Sequence, residues 1–178
     1  MSSPRRGRFL FGVGAGWLVE ELRNHGVDAR TRWALMEEQL LAMRAIWTSD
    51  EAEFHGRMVD FDPIWCWPKP VQAPHPPLLV GGDSPASLRL AALYGDAWAP
   101  VVLDDLEAFE RGLAAWRRLR ADAGLLPGDV TVFGFGLDVA RVERFAELGV
   151  TRIVVQVSVD EPGGLRRRLD DLVALAPA

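Results

Sequence analysis

Apolar runs of strand length alternate with helical segments along this chain, and this alternation constrains the fold more than any other feature. The apolar runs lie at residues 8–16, 77–81, 97–101, 130–135 and 152–159. Segments with helical periodicity follow them at 31–47, 85–94, 104–123, 141–148 and 163–175. Strands that are apolar on both faces and are joined by helices form parallel sheets covered by helices. We therefore predict an α/β fold with five strand–helix units in one domain, residues 1–178.

The predicted helices carry one-sided apolar stripes that indicate which face packs on the sheet. In 31–47 the stripe consists of Trp33, Met36, Leu40, Met43 and Trp47, and in 104–123 of Leu106, Phe109, Leu113, Trp116 and Leu119. The last helix, 163–175, is predicted to turn Leu165, Leu169 and Leu172 inward. Residues 48–77 are instead an irregular Pro-rich insertion with room for a small hairpin around 54–61, and we expect Trp65 and Trp67 to cover apolar surface there.

Composition excludes several classes of function. The net charge is −5 and no basic patch is evident, so we expect no nucleic-acid partner. The single cysteine, Cys66, cannot form an intramolecular disulfide, and three scattered histidines give no metal-ligand spacing. Arg5 and Arg6 before an apolar run imitate a signal, but the run passes directly into Glu20 without a small-residue cleavage site. These features predict a cytoplasmic protein with no metal site and no membrane span.

A candidate anion site lies at the junction of the second apolar run and the helix after it. The run ends in Gly81 and Gly82, and the helix begins at once, with Asp83 or Ser84 as its cap and Pro85 at its first position. Glycines let an oxyanion approach backbone N–H groups, and a helix N-terminus supplies partial positive charge. Asp83 would compete for that charge. The alternative is that Ser84 only caps the helix and the glycines only make the turn.

A second candidate site lies at the end of the first apolar run. Gly12, Gly14 and Gly16 alternate there and Trp17 follows them. Glycines in a strand mark places where a ligand or another backbone comes close, and Trp17 could lie against a flat ring. The alternative is a tight turn followed by a core tryptophan. No GxGxxG motif with a following acidic residue is present, which disfavours a dinucleotide site.

Five segments together resemble the luciferase-like monooxygenase superfamily, most closely the branch that uses the deazaflavin coenzyme F420. They are residues 7–17, 54–61 (FHGRMVDF), 67–70 (WPKP), 77–82 (PLLVGG) and 92–98 (ALYGDAW). The resemblance implies a (β/α)8 TIM barrel that binds F420, or alternatively FMN, at its C-terminal mouth. It implies that Gly81, Gly82 and Ser84, with Asp83 beside them, hold the cofactor phosphate, and that Gly14, Gly16 and Trp17 lie near the ring.

The chain departs from that family in length. A TIM barrel has eight strand–helix units in about 250 residues, and the five units here match its second half, so the three N-terminal units are missing. The family's early strands carry most residues that act on substrate, and the catalytic residues are therefore unknown. Five parallel strands of such a barrel leave two unpaired edges and an open apolar interior, which predicts a homo-oligomer.

Three functions remain open on the sequence. The first is an F420- or FMN-dependent oxidoreductase or monooxygenase that transfers hydride between the cofactor ring and a small organic substrate. The second is a non-catalytic, truncated flavin-binding or interaction protein. The third is an unrelated phosphate-handling TIM-barrel lyase or isomerase, although Lys69, the sole lysine, lies in a Pro-rich loop and is a poor Schiff-base candidate.

Overall fold

A computed structural model describes residues 7–102, 105–134, 138–157 and 164–174. Its strands are β1 (Phe11–Val13), β2 (Glu51–His55), β3 (Asp60–Trp65), β4 (Leu78–Gly81), β5 (Ala97–Ala99), β6 (Val101–Val102), β7 (Asp129–Gly134) and β8 (Arg152–Val155). Its helices are α1 (Val19–Asn24), α2 (Arg32–Thr48), α3 (Pro85–Tyr94), α4 (Leu106–Asp122), α5 (Val139–Glu147) and α6 (Gly164–Ala174). The predicted ends at residues 104, 135, 158, 159, 163 and 175 lie outside the described residues.

The main sheet is parallel, and its strands follow one another in chain order. β1 pairs with β4, β4 with β5, β5 and β6 with β7, and β7 with β8. β5 and β6 occupy one position in the sheet, interrupted at Pro100, because both pair with β7 in the same register. The described sheet thus has the five predicted strand positions. In a doubly wound sheet the order of the strands reverses at one point, whereas in a TIM barrel it does not. The strand order here shows no reversal, which confirms the predicted fold class.

The two faces of the sheet differ in what they contact. One row of paired residues faces the helices and belongs to the hydrophobic core: Val13, Val80, Trp98 and Val130. On the other face Leu10 packs against a small cluster of Leu79, Ala97 and Ala99. Along the first apolar run, Phe11, Val13 and Ala15 lie on the core side while Phe9 is exposed, and β1 itself is shorter than predicted.

The predicted helices form close to their predicted bounds, and the stripes of α2 and α4 face the core as expected. All five apolar residues of the α2 stripe and all five of the α4 stripe belong to the core or pack against it. Local capping explains the starts of three helices. The side chains of Ser84, Asp105 and Asp138 accept the backbone N–H of Ser87, Ala108 and Arg141. The short helix α1 was not predicted because its six residues are too few to show periodicity.

Trp98 is the centre of the aromatic part of the core. Its ring stacks on Phe109 at 5.7 Å between centroids and on Trp116 at 6.2 Å, and Phe145 meets Phe109 edge-on. Gly112 makes this packing possible, because a Cβ there would lie 2.9 Å from the Trp98 ring. Through these contacts α4 is fixed against the middle of the sheet.

Two apolar surfaces expected to be covered are exposed. Helix α6 has no buried residue, and Leu165 and Leu169 are exposed, so the predicted inward face is wrong. In the insertion, β2 and β3 form an antiparallel hairpin longer than the one predicted around 54–61. Trp65 and Trp67 are 78% and 62% exposed and cover no apolar surface; the Trp65 indole N–H instead donates to Glu51 across the hairpin. Within the described ranges, no helix combines the length and apolar content needed to cross a bilayer.

Glu38 on α2 ties the hairpin to the domain. Its carboxylate accepts the backbone N–H groups of Met58 at 2.7 Å, Val59 at 2.9 Å and Arg57 at 3.2 Å. The hydrogen bonds from Met58 and Val59 hold the pKa of Glu38 below its usual value. Adjacent Glu37 instead accepts hydrogen bonds from α3. The two carboxylates therefore join α2 to two different neighbours, the hairpin and α3.

Replacing Glu38 with Gln should lower the melting temperature at pH 7. Because the folded-state pKa is depressed, the contribution of Glu38 is complete above its ordinary value of 4.5 and is lost as the pH falls through the folded pKa. The variant should therefore lose less stability on acidification than the wild type. Thermal unfolding from pH 7 to pH 3 measures this. Glu143→Gln, at an exposed position of α5, is the matched control and should follow the wild type.

Candidate functional site

A large cavity opens where the parallel strands end at their carboxyl edge. Its volume is about 720 Å³, within the roughly 300–1,000 Å³ typical of sites for small organic ligands and cofactors. The glycine run after β1, the turn after β4, the ends of β5 to β7 and the start of α2 form its walls. The lining residues are Gly12, Val13, Gly14, Ala15, Gly16, Trp17, Arg32, Trp33, Leu79, Gly81, Gly82, Asp83, Ser84, Ala99, Val101 and Phe133.

All seven residues predicted for the site line this cavity: Gly14, Gly16, Trp17, Gly81, Gly82, Asp83 and Ser84. Two segments more than sixty residues apart in the chain are brought together because β1 and β4 are neighbouring parallel strands. The carboxyl ends of such strands meet at one edge of the sheet, where TIM-barrel active sites lie. Their contact with a cofactor stays a prediction.

The turn after β4 is closely packed around its two glycines. Gly82 has a φ of +108°, and a Cβ there would lie 3.0 Å from both Cβ and Oγ of Ser87. A Cβ on Gly81 would lie 3.3 Å from the carbonyl oxygen of Val13 and 3.5 Å from that of Ala99. Gly82 is therefore required by close packing as well as by conformation, and Gly81 is favoured by close packing alone.

A core residue holds this turn in place. The indole N–H of Trp98 donates to the carbonyl oxygen of Gly82 at 2.7 Å. Since Trp98 is 1% exposed and stacked between aromatic rings of α4, the donor has a fixed position. The hydrophobic core therefore fixes the orientation of the Gly82 carbonyl group through Trp98.

Ser84 is the helix cap, which decides between the two cap candidates. Its Oγ accepts the backbone N–H of Ser87 at 3.2 Å and lies 3.1 Å from the Ser87 hydroxyl, while that hydroxyl donates to the Ser84 carbonyl at 2.8 Å. The first N–H groups of α3 lack intrahelical acceptors and point toward the cavity end of the helix. Asp83 is exposed beside them. Because the Ser87 proton is used on the Ser84 carbonyl, the contact between the two hydroxyl oxygens uses the Ser84 proton, and an anion bound here would take that proton from Ser87 Oγ by rotation of the Ser84 hydroxyl.

Trp17 does not pack in the core. Its side chain is 85% exposed while it lines the cavity, so the core alternative for this residue is wrong. Gly16 before it has a φ of +78°, and a Cβ there would lie 3.0 Å from Leu22. The chain therefore reverses at Gly16 and leaves an aromatic ring at the cavity mouth.

Arg32 and Trp33 were not predicted as site residues, yet both line the cavity. Trp33 was assigned to the core stripe of α2, and it does pack there while its ring edge reaches the cavity. One positional signal could have found them. They begin the first helix of the predicted pattern, and in a βα barrel the helices start at the edge of the sheet where the strands end.

Helices α2 and α3 are braced against each other beside the cavity. Glu37 of α2 accepts a hydrogen bond from Arg89 Nη1 at 2.9 Å and from Tyr94 Oη at 2.6 Å, both on α3. The Arg89 guanidinium, followed by the Tyr94 hydroxyl, holds the pKa of Glu37 below its usual value. The two helix starts that line the cavity are thereby kept at a fixed separation.

Lys69 and two of the histidines, His55 and His75, do not line the cavity. His55 bonds Asp60 on the hairpin, and buried His75 accepts a bond from Arg44. Lys69 donates to the carbonyl oxygens of Ile46 and Ser49 at the end of α2, which removes support for a Schiff-base role. Among residues 7–102, 105–134, 138–157 and 164–174, His, Cys, Asp and Glu side chains form no group suited to a metal ion.

The comparisons with known proteins agree with this geometry. The sequence profile of the luciferase-like monooxygenases matches residues 5–141. Since this is more than half of the 178 residues, the chain belongs to the luciferase-like monooxygenase family.

An uncharacterized protein of Mycobacterium tuberculosis is 39% identical over 155 residues, which cover 83% of this chain and 52% of that protein. The FMNH2-dependent dimethylsulfone monooxygenase of Pseudomonas putida is 36% identical over 93 residues, 51% of this chain and 26% of that protein. The chain thus spans about half the length of the first relative, 52%, and its match covers 26% of the second. An F420-dependent secondary alcohol dehydrogenase, solved with an F420–acetone adduct, has the same fold, with a TM-score of 0.73 at 18% identity over 85% of this chain and 64% of its own.

Replacing Gly82 with Ala should destabilise the protein more than Gly124→Ala. Both glycines have positive φ, but a Cβ on Gly124 meets nothing within 4 Å, whereas one on Gly82 meets Ser87 at 3.0 Å. Gly124→Ala should cost about 1–2 kcal/mol from backbone strain alone. Gly82→Ala should exceed that cost because Ser87 must move. Urea denaturation of the two variants measures the difference, and equal costs would contradict the tight packing inferred for this turn.

Proposed function

We propose that this cavity binds a flavin-type cofactor and that the chain forms part of an oxidoreductase of the luciferase-like type. The observation that carries the proposal is the convergence of the two glycine segments on one cavity at the carboxyl ends of the strands. In that cavity a ring could lie along Trp17, Val101 and Phe133, while a phosphate could reach the α3 N-terminus. The family membership supports the general class of reaction.

Coenzyme F420 is the cofactor we favour, with FMN as the alternative. The sequence segments resemble the F420-using branch, and an F420-dependent dehydrogenase shares the fold. The Pseudomonas relative named for FMNH2 supports the alternative. Both cofactors carry a phosphate and a flat tricyclic ring, so the same residues suit either one.

The residues present fit such a cofactor. Gly81 and Gly82 present backbone without side chains next to the start of α3, in a turn packed closely against Ser87 and the neighbouring strands. The Ser84 hydroxyl, which donates to Ser87 Oγ, would rotate to donate to a phosphate oxygen, and the helix end contributes partial positive charge. When bound, the cofactor would supply hydride chemistry with a small organic substrate.

This chain's own residues would bind and orient the ring. Ala99, Val101 and Phe133 form an apolar wall, and Trp17 stands at the mouth. An apolar wall excludes water on the side it covers and strengthens electrostatic contacts there. We assign no proton transfer, because Arg32 and Asp83 are the charged side chains in the described lining.

We also propose that the chain associates with another copy of itself. Val101 and Phe133 are 54% and 39% exposed on the face away from the helices, and β1 and β8 each pair on one side only within the described sheet. Association would cover this open face and the strand edges. A cytoplasmic setting, which the single cysteine favours, is part of the same proposal.

A second candidate is a flavin-binding protein without catalysis. The exposure of Val101 and Phe133 favours it, because a cavity open on that side does not keep water from a reactive ring. Cofactor binding would distinguish these two functions from any function without a cofactor. Turnover of the bound cofactor would distinguish the oxidoreductase from the non-catalytic binding protein. Reduced cofactor that is bound but not reoxidised by a substrate panel would indicate the non-catalytic function.

Replacing Ser84 with Ala should weaken binding of F420 or FMN about three- to tenfold, the effect of losing one neutral hydrogen bond. Fluorescence titration of each cofactor measures the dissociation constants. Ser84→Thr keeps a hydroxyl and a capping oxygen and should bind nearly as the wild type does. Ser49→Ala, at the end of α2, is the distant control. Unchanged affinity in Ser84→Ala would contradict the assigned phosphate site.

Light scattering should show a species larger than one 19.7 kDa chain. Replacing Phe133 with Glu on the open face should shift that species toward the monomer, because a carboxylate there opposes burial. Glu107→Gln on the outer surface of α4 is the control and should leave the mass unchanged. A wild-type monomer at all concentrations would overturn the association.

A further inference from the structure

Helix α6 presents an exposed apolar stripe with a basic border. The helix has no buried residue, and Leu165, Leu169 and Val173 along one side of it are 47%, 46% and 73% exposed. Because successive residues of a helix are rotated by about 100°, Arg166 and Arg168 border these side chains on both sides. We call these five residues the α6 stripe. An exposed apolar patch with a polar rim marks a site of interaction.

The arginines of α6 are not neutralised within the described residues. No carboxylate there forms an ion pair with Arg166, Arg167 or Arg168. Asp170 and Asp171 lie farther round the helix from the leucines than Arg166 and Arg168 do. The border of the α6 stripe is therefore positive, although the chain as a whole has a net charge of −5.

The β2–β3 hairpin carries the opposite charge on an exposed face. Glu51 and Glu53 of β2 and Asp60 and Asp62 of β3 are all exposed. Trp65 lies on this face, since its indole N–H donates to Glu51, and it is 78% exposed. We call these five residues the acidic face. It combines a large apolar ring with carboxylates, as the α6 stripe combines leucines with arginines.

The basic groups of the hairpin leave this face acidic. His55 Nδ1 lies 2.8 Å from Asp60 Oδ1, and its Nε2 lies 3.7 Å from Glu53 Oε2. Arg57 is the other basic residue between the two strands. Even with a protonated imidazole, these two groups are outnumbered by the four carboxylates of the acidic face. The face thus has a net charge opposite to that of the α6 border.

The two surfaces also match in length. The 11 residues of α6 span about 16 Å, and the six residues of β3 span about 20 Å. Both surfaces are exposed in the single chain, so neither covers the other there. Each copy of the chain therefore offers one surface of each kind to another copy.

We propose that helix α6 of one copy docks along the acidic face of a second copy. The leucines would cover Trp65, while Arg166 and Arg168 would meet Glu53 and Asp62. Apolar burial supplies the affinity of such a contact, and the opposite charges set its orientation. The contact joins two different patches, and two such contacts formed reciprocally close a dimer. It is separate from the open sheet face and from the cofactor cavity, and it depends on neither.

Charge reversal tests both surfaces in the Phe133→Glu background, in which association through the open sheet face is weakened. Arg166→Glu with Arg168→Glu should weaken the remaining self-association at least about tenfold, because like charges then face each other. Glu53→Lys with Asp62→Lys should weaken it by a similar factor. A chain with all four reversals should recover most of the affinity, since the charges are opposite again. Sedimentation equilibrium over a range of protein concentrations measures these dissociation constants.

Matched controls lie outside both surfaces. Arg167→Glu, on the far side of α6, and Glu143→Lys on α5 make the same changes of charge and should leave the dissociation constant unchanged. Raising the salt concentration to about 1 M should weaken the association of the parent chain and leave its melting temperature the same within error. The same order of affinities should hold with Phe133 intact, so the test does not depend on that substitution.

Three results would overturn this contact. The first is a parent chain that stays monomeric at all concentrations, with or without Phe133→Glu. The second is a dissociation constant unchanged by either pair of reversals. The third is a failure of the four reversals together to recover affinity, which would show that the two surfaces do not meet. None of these results bears on the proposed function, because fluorescence titration of F420 or FMN measures cofactor binding separately.

Discussion

The hydrogen bond from Trp98 to Gly82 joins the hydrophobic core to the cavity, and the rest of the site depends on it. The ring of Trp98 is buried among aromatic side chains of α4, and its N–H holds the carbonyl of the turn after β4 at 2.7 Å. Packing density in a core leaves little freedom for such a ring. The position of Gly82, and with it the start of α3, is therefore set by contacts on the far side of the sheet.

Parallel strand pairing gives the cavity its second wall. β1 and β4 end side by side, so the glycine run at 12–16 lies against the turn at 81–84. Helices α2 and α3 begin at the same edge, and the Glu37 contacts with Arg89 and Tyr94 keep them together. Backbone N–H groups, Arg32 and an apolar wall thereby line one volume, which suits a ligand with a charged tail and a flat ring.

Much of the fold was predictable because its elements are long and strongly periodic. The stripes of α2 and α4 gave their buried faces, and the Ser84 to Pro85 pair gave the start of α3. Helix α6 shows the limit of this reasoning. Its leucines have the spacing of a packed face, yet Leu165 and Leu169 are exposed, because periodicity shows that a face is apolar and does not show what covers it.

The sequence by itself determined the parallel α/β architecture, the two glycine segments and the family, since these depend on local patterns and on residue types in order. Tertiary structure alone decided that Trp17 lines the cavity instead of the core and that Lys69 and both loop histidines lie elsewhere. It also decided that Arg30 is paired with Asp28 while Arg32 lines the cavity. The physical reason is that pairing and burial depend on neighbours brought from distant parts of the chain, and no local spacing encodes them.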